Sequence, residues 1–445
     1  MVSRFRLTSR TPAALLCTAV LVAACALPAP SAPGQTSLRP NAEAYFYYSL
    51  GRLMEVSGAP NDALVQYRRA DSLDPDHCEL EVAVARTLYA RGNLEPAAEK
   101  SASALELCPD NLEARAIRAE IFLVNGEAGR TELLLRDVAA DPSAPREFAV
   151  LYGQALLSQG RIDEGASYLR ARVQVDSLDP DVSSLYGRAL LMLDDPDAAV
   201  VELTRANRLD PNNRVVAGML SRLLIALERP EEGVPLLERI VVRHEAVEPE
   251  LVSLAAGYSM MGEYELARAV LDTASARFGD TPTVLRARGA TYYGEGDLDR
   301  AIEAYERLLE VEADSVTALN FIAYTLADEN RDLDHAIGYA LRAVELEPDN
   351  PLLRDTLGWV HYRLGRMEEA RRELDLAIEL GGDNPIILEH LGDVLLELGD
   401  PDAAIAVWTK ALEVSPGRTS TIDRIETAGG EVPSGALEQS DGETR

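Results

Sequence analysis

Apolar residues recur at spacings of three and four along most of the chain, in short runs separated by polar and glycine-containing breaks. The stretch 351–384, PLLRDTLGWVHYRLGRMEEARRELDLAIELGGDN, shows the pattern at its clearest. Leu357, Gly358 and His361 fall on one helical face, and Ala370, Leu374 and Ala377 form the facing stripe of a second helix. Gly365 lies between them and ends the first helix, because glycine reaches the left-handed conformation that closes one. Small residues at Gly358 and Ala370 let the two backbones approach closely. A hairpin of this kind cannot bury both its faces alone, so it needs neighbours.

The chain supplies them. Sliding the window in steps of thirty-four finds Leu391-Gly392, Gly399, Ala404, Trp408 and Pro416 in the next unit, and Gly289, Tyr292, Gly296, Ala301 and Tyr305 in the unit from Pro282. Leu50-Gly51, Ala63, Tyr67, Ala70 and Pro75 stand in the unit from Ala44. Cys78 opens a unit with Ala85, Gly92, Ala97 and Ala104, and Pro180 opens one with Gly187, Ala199 and Ala206. With these residues at this period, the chain resembles the tetratricopeptide repeat (TPR) family. The resemblance implies an all-α fold, a right-handed α-solenoid of about eleven helix-turn-helix hairpins over 44–418. Irregularities are expected where the third unit reads one residue short, the fourth carries extra residues, and the ninth has one extra near Arg331–Asp334. The sixth unit has Ser221 where Gly or Ala is usual, and Pro235 inside its second helix.

The two ends break the pattern. Arg4, Arg6 and Arg10 precede the apolar run Ala13–Ala24, which is too short for a spanning helix and reads as a secretory signal peptide over 1–24. Leu21-Val22-Ala23-Ala24-Cys25 resembles a bacterial lipobox, which implies lipidation of Cys25; ordinary cleavage near Ala26 is the competing reading. Residues 25–43 are then the lipidated cysteine and a flexible tether rich in Pro, Ala and Ser. Ala26, rather than Asp, after the cysteine implies an outer-membrane destination facing the periplasm. Beyond Arg418, Ser420–Thr427 reads as a short closing helix, and Gly429–Arg445 as a disordered, polar tail.

Charge narrows the partner classes. Asp and Glu number 74 against 43 Lys and Arg. Nucleic acid, which needs a basic footprint, is not expected. Much of the acid falls in turns such as Asp74-Pro75-Asp76, Asp179-Pro180-Asp181 and Glu347-Pro348-Asp349, where it is expected to cap helix N-termini. Cys78 and Cys108 open and close one hairpin, so a disulfide or two free thiols are both open. The histidines His77, His244, His335, His361 and His390 show no metal-ligand spacing. Asp194-Asp195 and Glu231-Glu232 read as turn acids. No cofactor and no metal is expected, and nothing outside the repeats is long enough to be a catalytic domain.

In TPR proteins ligands lie against the first helices, at the second, fifth, ninth and twelfth residues of each unit. Carried over, this gives Arg286, Tyr293, Asn320, Tyr324, Asp355, Trp359 and Tyr362, flanked by Phe321 and Arg363, with Glu389 and Asp393 beyond. Aromatic faces with a few polar groups suit a peptide or partner helix; packing between first helices is the competing reading. Tyr45, Tyr48, Arg52, Arg86 and Tyr89 form a second patch. A carboxylate-gripping set is absent, since Arg286 is followed by Ala290, Phe321, Leu352 and Thr356. The run from Tyr324 to Leu395 is similar to bacterial envelope TPR lipoproteins, some of which are adaptors for a periplasmic carboxyl-terminal processing protease. That resemblance implies a membrane-anchored, non-enzymatic scaffold for protein partners. Two alternatives stand beside it: an assembly lipoprotein for pilus, polysaccharide export or outer-membrane protein insertion, and a glycan-binding solenoid.

Overall fold

The computed structural model describes residues 40–243 and 246–433. The signal peptide, Cys25, the tether up to residue 39, His244 and the tail from 434 lie outside the described residues. Among the described residues there are 23 α-helices and no strand. Two compact units are formed, residues 1–165 and 166–445.

The first unit holds α1 (Pro40–Val56), α2 (Pro60–Leu73), α3 (Cys78–Ala90), α4 (Leu94–Leu107), α5 (Leu112–Val124), α6 (Ala128–Ala139), α7 (Arg146–Ser158) and the start of α8 (Ile162–Val175). The second continues with α9 (Pro180–Met192), α10 (Pro196–Leu209), α11 (Arg214–Ala226), α12 (Pro230–Arg243), α13 (Glu248–Met260), α14 (Tyr264–Phe278), α15 (Pro282–Glu295) and α16 (Leu298–Val311). It ends with α17 (Val316–Asp328), α18 (Leu333–Leu346), α19 (Pro351–Arg363), α20 (Met367–Gly381), α21 (Pro385–Glu397), α22 (Pro401–Val414) and α23 (Thr419–Thr427). Helices thus come in eleven successive pairs, followed by one short helix.

In five of the pairs a large side chain of the second helix fills the space over a glycine of the first. Tyr305 of α16 lies against Gly289 of α15, where a methyl group would stand 2.6 Å from its ring. Leu374 of α20 fills the space over Gly358, where a methyl would lie 2.7 Å from Cγ and 3.3 Å from the Ala370 carbonyl. Tyr67 over Gly51, Leu203 over Gly187 and Trp408 over Gly392 repeat the device sixteen residues apart each time. In the sixth pair the small residue has moved to the second helix. Ser221 is fully buried, donates its hydroxyl to the Gly233 carbonyl at 2.9 Å, and packs against a Gly233 that leaves no room for a methyl group. Helix α12 then runs on through Pro235.

The turns keep a stricter period than the sequence reading allowed. The left-handed residue after each first helix is Gly58, Gly92, Gly126, Gly160, Asp194, Glu228, Gly262, Gly296 and Asn330, thirty-four apart throughout. The expected short third and long fourth units are therefore not found: α5, α7 and α9 start thirty-four residues apart. The extra residue of the ninth unit is real. It lies in the loop after α17, where Asn330 and Asp332 are both left-handed (φ 53° and 42°), and it pushes the next such glycine to Gly365.

Three other expectations are corrected. Helix α1 begins at Pro40, inside the stretch read as tether; a proline at a helix start loses no hydrogen bond, and Glu43 suits the positive end of the dipole. Residues 429–433 are packed, not disordered: Gly429 turns left-handed, Gly430 N–H donates to the Ile425 carbonyl at 2.9 Å, and Val432 lies against the terminal core. Of the three acidic turns named above, only the one at Asp179 caps a helix N-terminus, accepting from the amides of Asp181 and Val182. At α5, α11, α19 and α21 an asparagine directly before the helix does this instead: Asn111, Asn213, Asn350 and Asn384.

Candidate functional site

The first helices α15, α17, α19 and α21 carry the residues chosen from the repeat register. Their rings stack on one another more than they face outward. Tyr293 is the open one, 55% exposed, with its ring edge-on to Phe321 at 5.3 Å. Phe321 in turn lies 4.3 Å from Tyr305, so it is half core. Arg286 is exposed and stands 3.8 Å from Glu312. Asn320 and Tyr324 are half-buried. Burial, then the nearby carboxylates Asp328 and Asp355, push the Tyr324 hydroxyl up to about 12, so it is a neutral donor at physiological pH.

Trp359 departs from the expectation of an open groove residue. Only 7% of it is exposed, because its indole is sandwiched between His390 at 4.2 Å and Tyr362 at 4.9 Å, both nearly parallel to it. Asp355, 5% exposed, is closed in the same way: one carboxylate oxygen meets His390 Nδ1 at 2.7 Å. Arg363 places its guanidinium 5.6 Å from the Trp359 ring centroid and donates to the Asp328 carbonyl at 3.0 Å. Asn320 Oδ1 and Trp359 Nε1 are buried and have no hydrogen-bond partner among the described residues. The His390–Asp355 pair ties α19 to α21 and was missed in the sequence. Its residues are thirty-five apart, one step off the repeat, and only the shared first-helix register could have hinted at it.

The last unit is closed by α23. Glu389 is buried and accepts from Arg418 Nε and Nη2 at 2.6 and 2.8 Å, and from the Thr421 hydroxyl. Burial raises the Glu389 carboxyl, but the hydrogen bonds from Arg418 and Thr421 outweigh it and hold the pKa below the ordinary value. Asp393 accepts from Arg424 at 2.7 and 3.1 Å. Both acids, read as candidate ligand positions, are thus engaged by the chain's own closing segment.

In the first unit, Arg86 is likewise occupied. It bridges both Glu55 oxygens, at 2.7 and 2.9 Å, and Glu113 at 2.5 Å, while Tyr67 donates to Glu55 at 2.8 Å. Burial and a hydrogen bond to Glu120 raise Tyr89. Tyr45 and Tyr48 line a cavity of about 210 Å³ with His77 and Leu80. Arg52 is half-exposed and pairs with Glu55 at 3.5 Å. Cys78 and Cys108 are joined in a disulfide, with Cα atoms 6.1 Å apart.

The remaining titratable groups are local. His335 pairs with Asp332 at 2.7 Å, and burial lowers His361, whose Nδ1 has no partner among the described residues. Asp195 caps α10. The described residues hold no group of three or more His, Cys, Asp or Glu able to bind a metal ion.

Comparison with known proteins follows the same repeat. A family model described as tetratricopeptide repeat matches residues 151–214, 286–351 and 356–419. The TPR repeat-containing protein PA4667 of Pseudomonas aeruginosa is 41% identical over 63 residues, which are 14% of this chain and 11% of that protein's length. Yeast Tom70 superposes with a TM-score of 0.47 at 15% identity, covering 89% of this chain and 96% of Tom70. A tetratricopeptide repeat protein from Parabacteroides merdae gives 0.47 at 16% identity, covering 56% of this chain and 99% of its own.

Proposed function

We propose, for a chain that belongs to the tetratricopeptide repeat family, that it is a membrane-anchored periplasmic scaffold whose first helices hold a protein partner. TPR repeats suit a protein-binding scaffold; the finer reading adds an anchor at Cys25, outer-membrane placement, and a periplasmic carboxyl-terminal processing protease with its substrates as the partners. No catalytic or cofactor role is assigned to it.

One observation carries the reading. The row from α15 to α19 offers an open tyrosine, Tyr293, and an exposed cation, Arg286, beside a rigid aromatic floor of Phe321, Trp359 and Tyr362. Rigid aromatics lose little side-chain entropy on binding, and a polar rim fixes register. The near-burial of Trp359 makes it part of the floor that holds Tyr362 and Arg363, and gives Tyr293 the direct contact.

A photo-crosslinking residue in place of Tyr293, in the native envelope, tests this. Capture of a periplasmic protease from that position, reduced by Arg286→Glu, supports the reading. If position 293 captures nothing while a probe at the exposed Val311 on α16 captures a partner, the second helices bind instead and the assembly role takes over. The anchor is tested separately: Cys25→Ser is expected to move the protein from the membrane to the soluble fraction, and retention in the membrane would refute it.

A further inference from the structure

Among the described residues no helix precedes α1, and the face it leaves uncovered carries no charge. Ala42, Tyr45, Phe46, Ser49, Leu53 and Val56 recur at spacings of one, three and four, and all six are exposed. The four large ones are open to 71%, 59%, 65% and 82% in that order. They form one stripe from end to end of the helix, about 21 Å long at 1.5 Å per residue. The helix's other face is spent inside the unit, where Tyr47, Tyr48 and Met54 pack on Leu64, Tyr67 and Leu80. The stripe is therefore not loose core.

We propose that this stripe docks on a lipid bilayer, lying in the interface as the first contact of the folded chain with the membrane. Three features point to lipid over a second copy of the chain. First, the area is small. A stripe about 21 Å by 10–12 Å gives of order 250 Å² per copy, against roughly 800 Å² per partner in a stable protein interface. A bilayer has no such minimum, since it takes up each side chain separately. Second, the composition is that of an interfacial helix: aromatic and aliphatic residues on the exposed face, with tyrosine among them, whose ring and hydroxyl suit the headgroup boundary. Arg52, half-exposed at the edge of the stripe next to Tyr45, can reach phosphate oxygens. Third, proximity favours it. This step rests on the anchor proposed at Cys25. Residues 26–39 separate Cys25 from α1, a length that reaches at most roughly 50 Å in any conformation. The anchor then holds the stripe close to the headgroups, at a high effective concentration. Because acidic residues exceed basic ones across the chain, and Glu43 sits at the stripe's edge, the surface that fits is zwitterionic.

The test uses the full chain with Cys25→Ser, so that it does not depend on lipidation. Ser49→Cys, at the centre of the stripe, carries an environment-sensitive fluorophore; Ala406→Cys, exposed on α22, carries the same dye as control. Vesicles of phosphatidylcholine and phosphatidylethanolamine are expected to blue-shift the dye at 49 and not at 406, and to float the protein. Phe46→Ser and Leu53→Ser are each expected to weaken the partition roughly tenfold, with unchanged melting because both side chains are exposed. No shift at 49 with saturating vesicles overturns the proposal. So does binding that requires phosphatidylglycerol and disappears in salt, which would be electrostatic. So does a lipid-independent shift accompanied by a dimer in sedimentation, which would assign the stripe to a second copy. Because the anchor is absent throughout, these outcomes are distinct from loss of membrane localisation in Cys25→Ser cells.

Discussion

Removing one carboxylate should loosen the end of the stack. Glu389→Gln keeps the shape of the side chain and removes the charge that Arg418 and Thr421 grip. The lost interaction is two charge-assisted hydrogen bonds from a guanidinium plus one from a hydroxyl, around a carboxylate that is almost fully buried. Breaking a fully buried pair costs about 3–5 kcal/mol. Arg418 is 30% exposed, so water recovers part of that, and the retained amide oxygen still accepts one bond. About 2 kcal/mol remains, the range of a hydrogen bond to a charged group. In a stack held by nearest-neighbour contacts, that loss falls on local opening of α23 rather than on the whole chain. The readout is hydrogen exchange of amides 421–428. At 1.4 kcal/mol per factor of ten, exchange should speed up roughly thirtyfold, while α17 and α18 stay as they are. If exchange at α23 is unchanged, the apolar contacts of Ile422 and Ile425 hold the cap alone, and the role given to Glu389 is wrong.

Further predictions follow from the same geometry. Acid should act at the same place: the Glu389 pKa is held below its unfolded value of about 4.3, so its contribution is present above that pH and is lost as the pH falls through the lower folded value. Glu250, lowered against burial by Arg214 and the Val247 amide, should behave alike, and exchange of α13 against pH checks it. Gly358→Val forces methyl groups against Leu374 and the Ala370 carbonyl and should cost about 1–3 kcal/mol, read as raised exchange across α19 and α20. Glu228→Gly relieves a left-handed residue (φ 58°) in the turn before α12 and should stabilise that hairpin by up to about 1 kcal/mol; an unchanged urea midpoint for it would count against backbone strain there. Trp359→Ala should destabilise by about 3–5 kcal/mol, seen as a lowered melting temperature, whereas Tyr293→Ala should leave the melt within about 0.5 kcal/mol.

The sequence made the repeat visible because most hairpins solve the same packing problem with the same two residue types, a small one and a large one sixteen apart. Where a sequence change kept that solution, it misled. Ser221 looked like a break, yet the missing glycine had moved across to Gly233. The third and fourth units looked irregular in length, yet their left-handed turn residues at 126, 160 and 194 keep the period of thirty-four. The candidate site was legible as a set of positions and not as a surface. Whether Trp359 faces outward is decided by His390, a residue of the next unit, and His390 is aimed by Asp355 through a bond between units. Glu389 and Asp393 sat in ligand positions by register, but what reaches them is Arg418 and Arg424, from a segment too short to carry a repeat signal of its own.

The Cys78–Cys108 disulfide has a mechanical consequence. A scaffold fixed by its N-terminus and loaded by a partner farther along would be pulled through its first hairpins. The bond encloses one of them, its two ends 30 positions apart in the sequence. Extended at about 3.3–3.6 Å per residue, that is roughly 100 Å of contour that force cannot release while the bond is intact. The second hairpin would behave as a fixed link in a stretching chain, and adding a reductant should lengthen the rupture path by that amount.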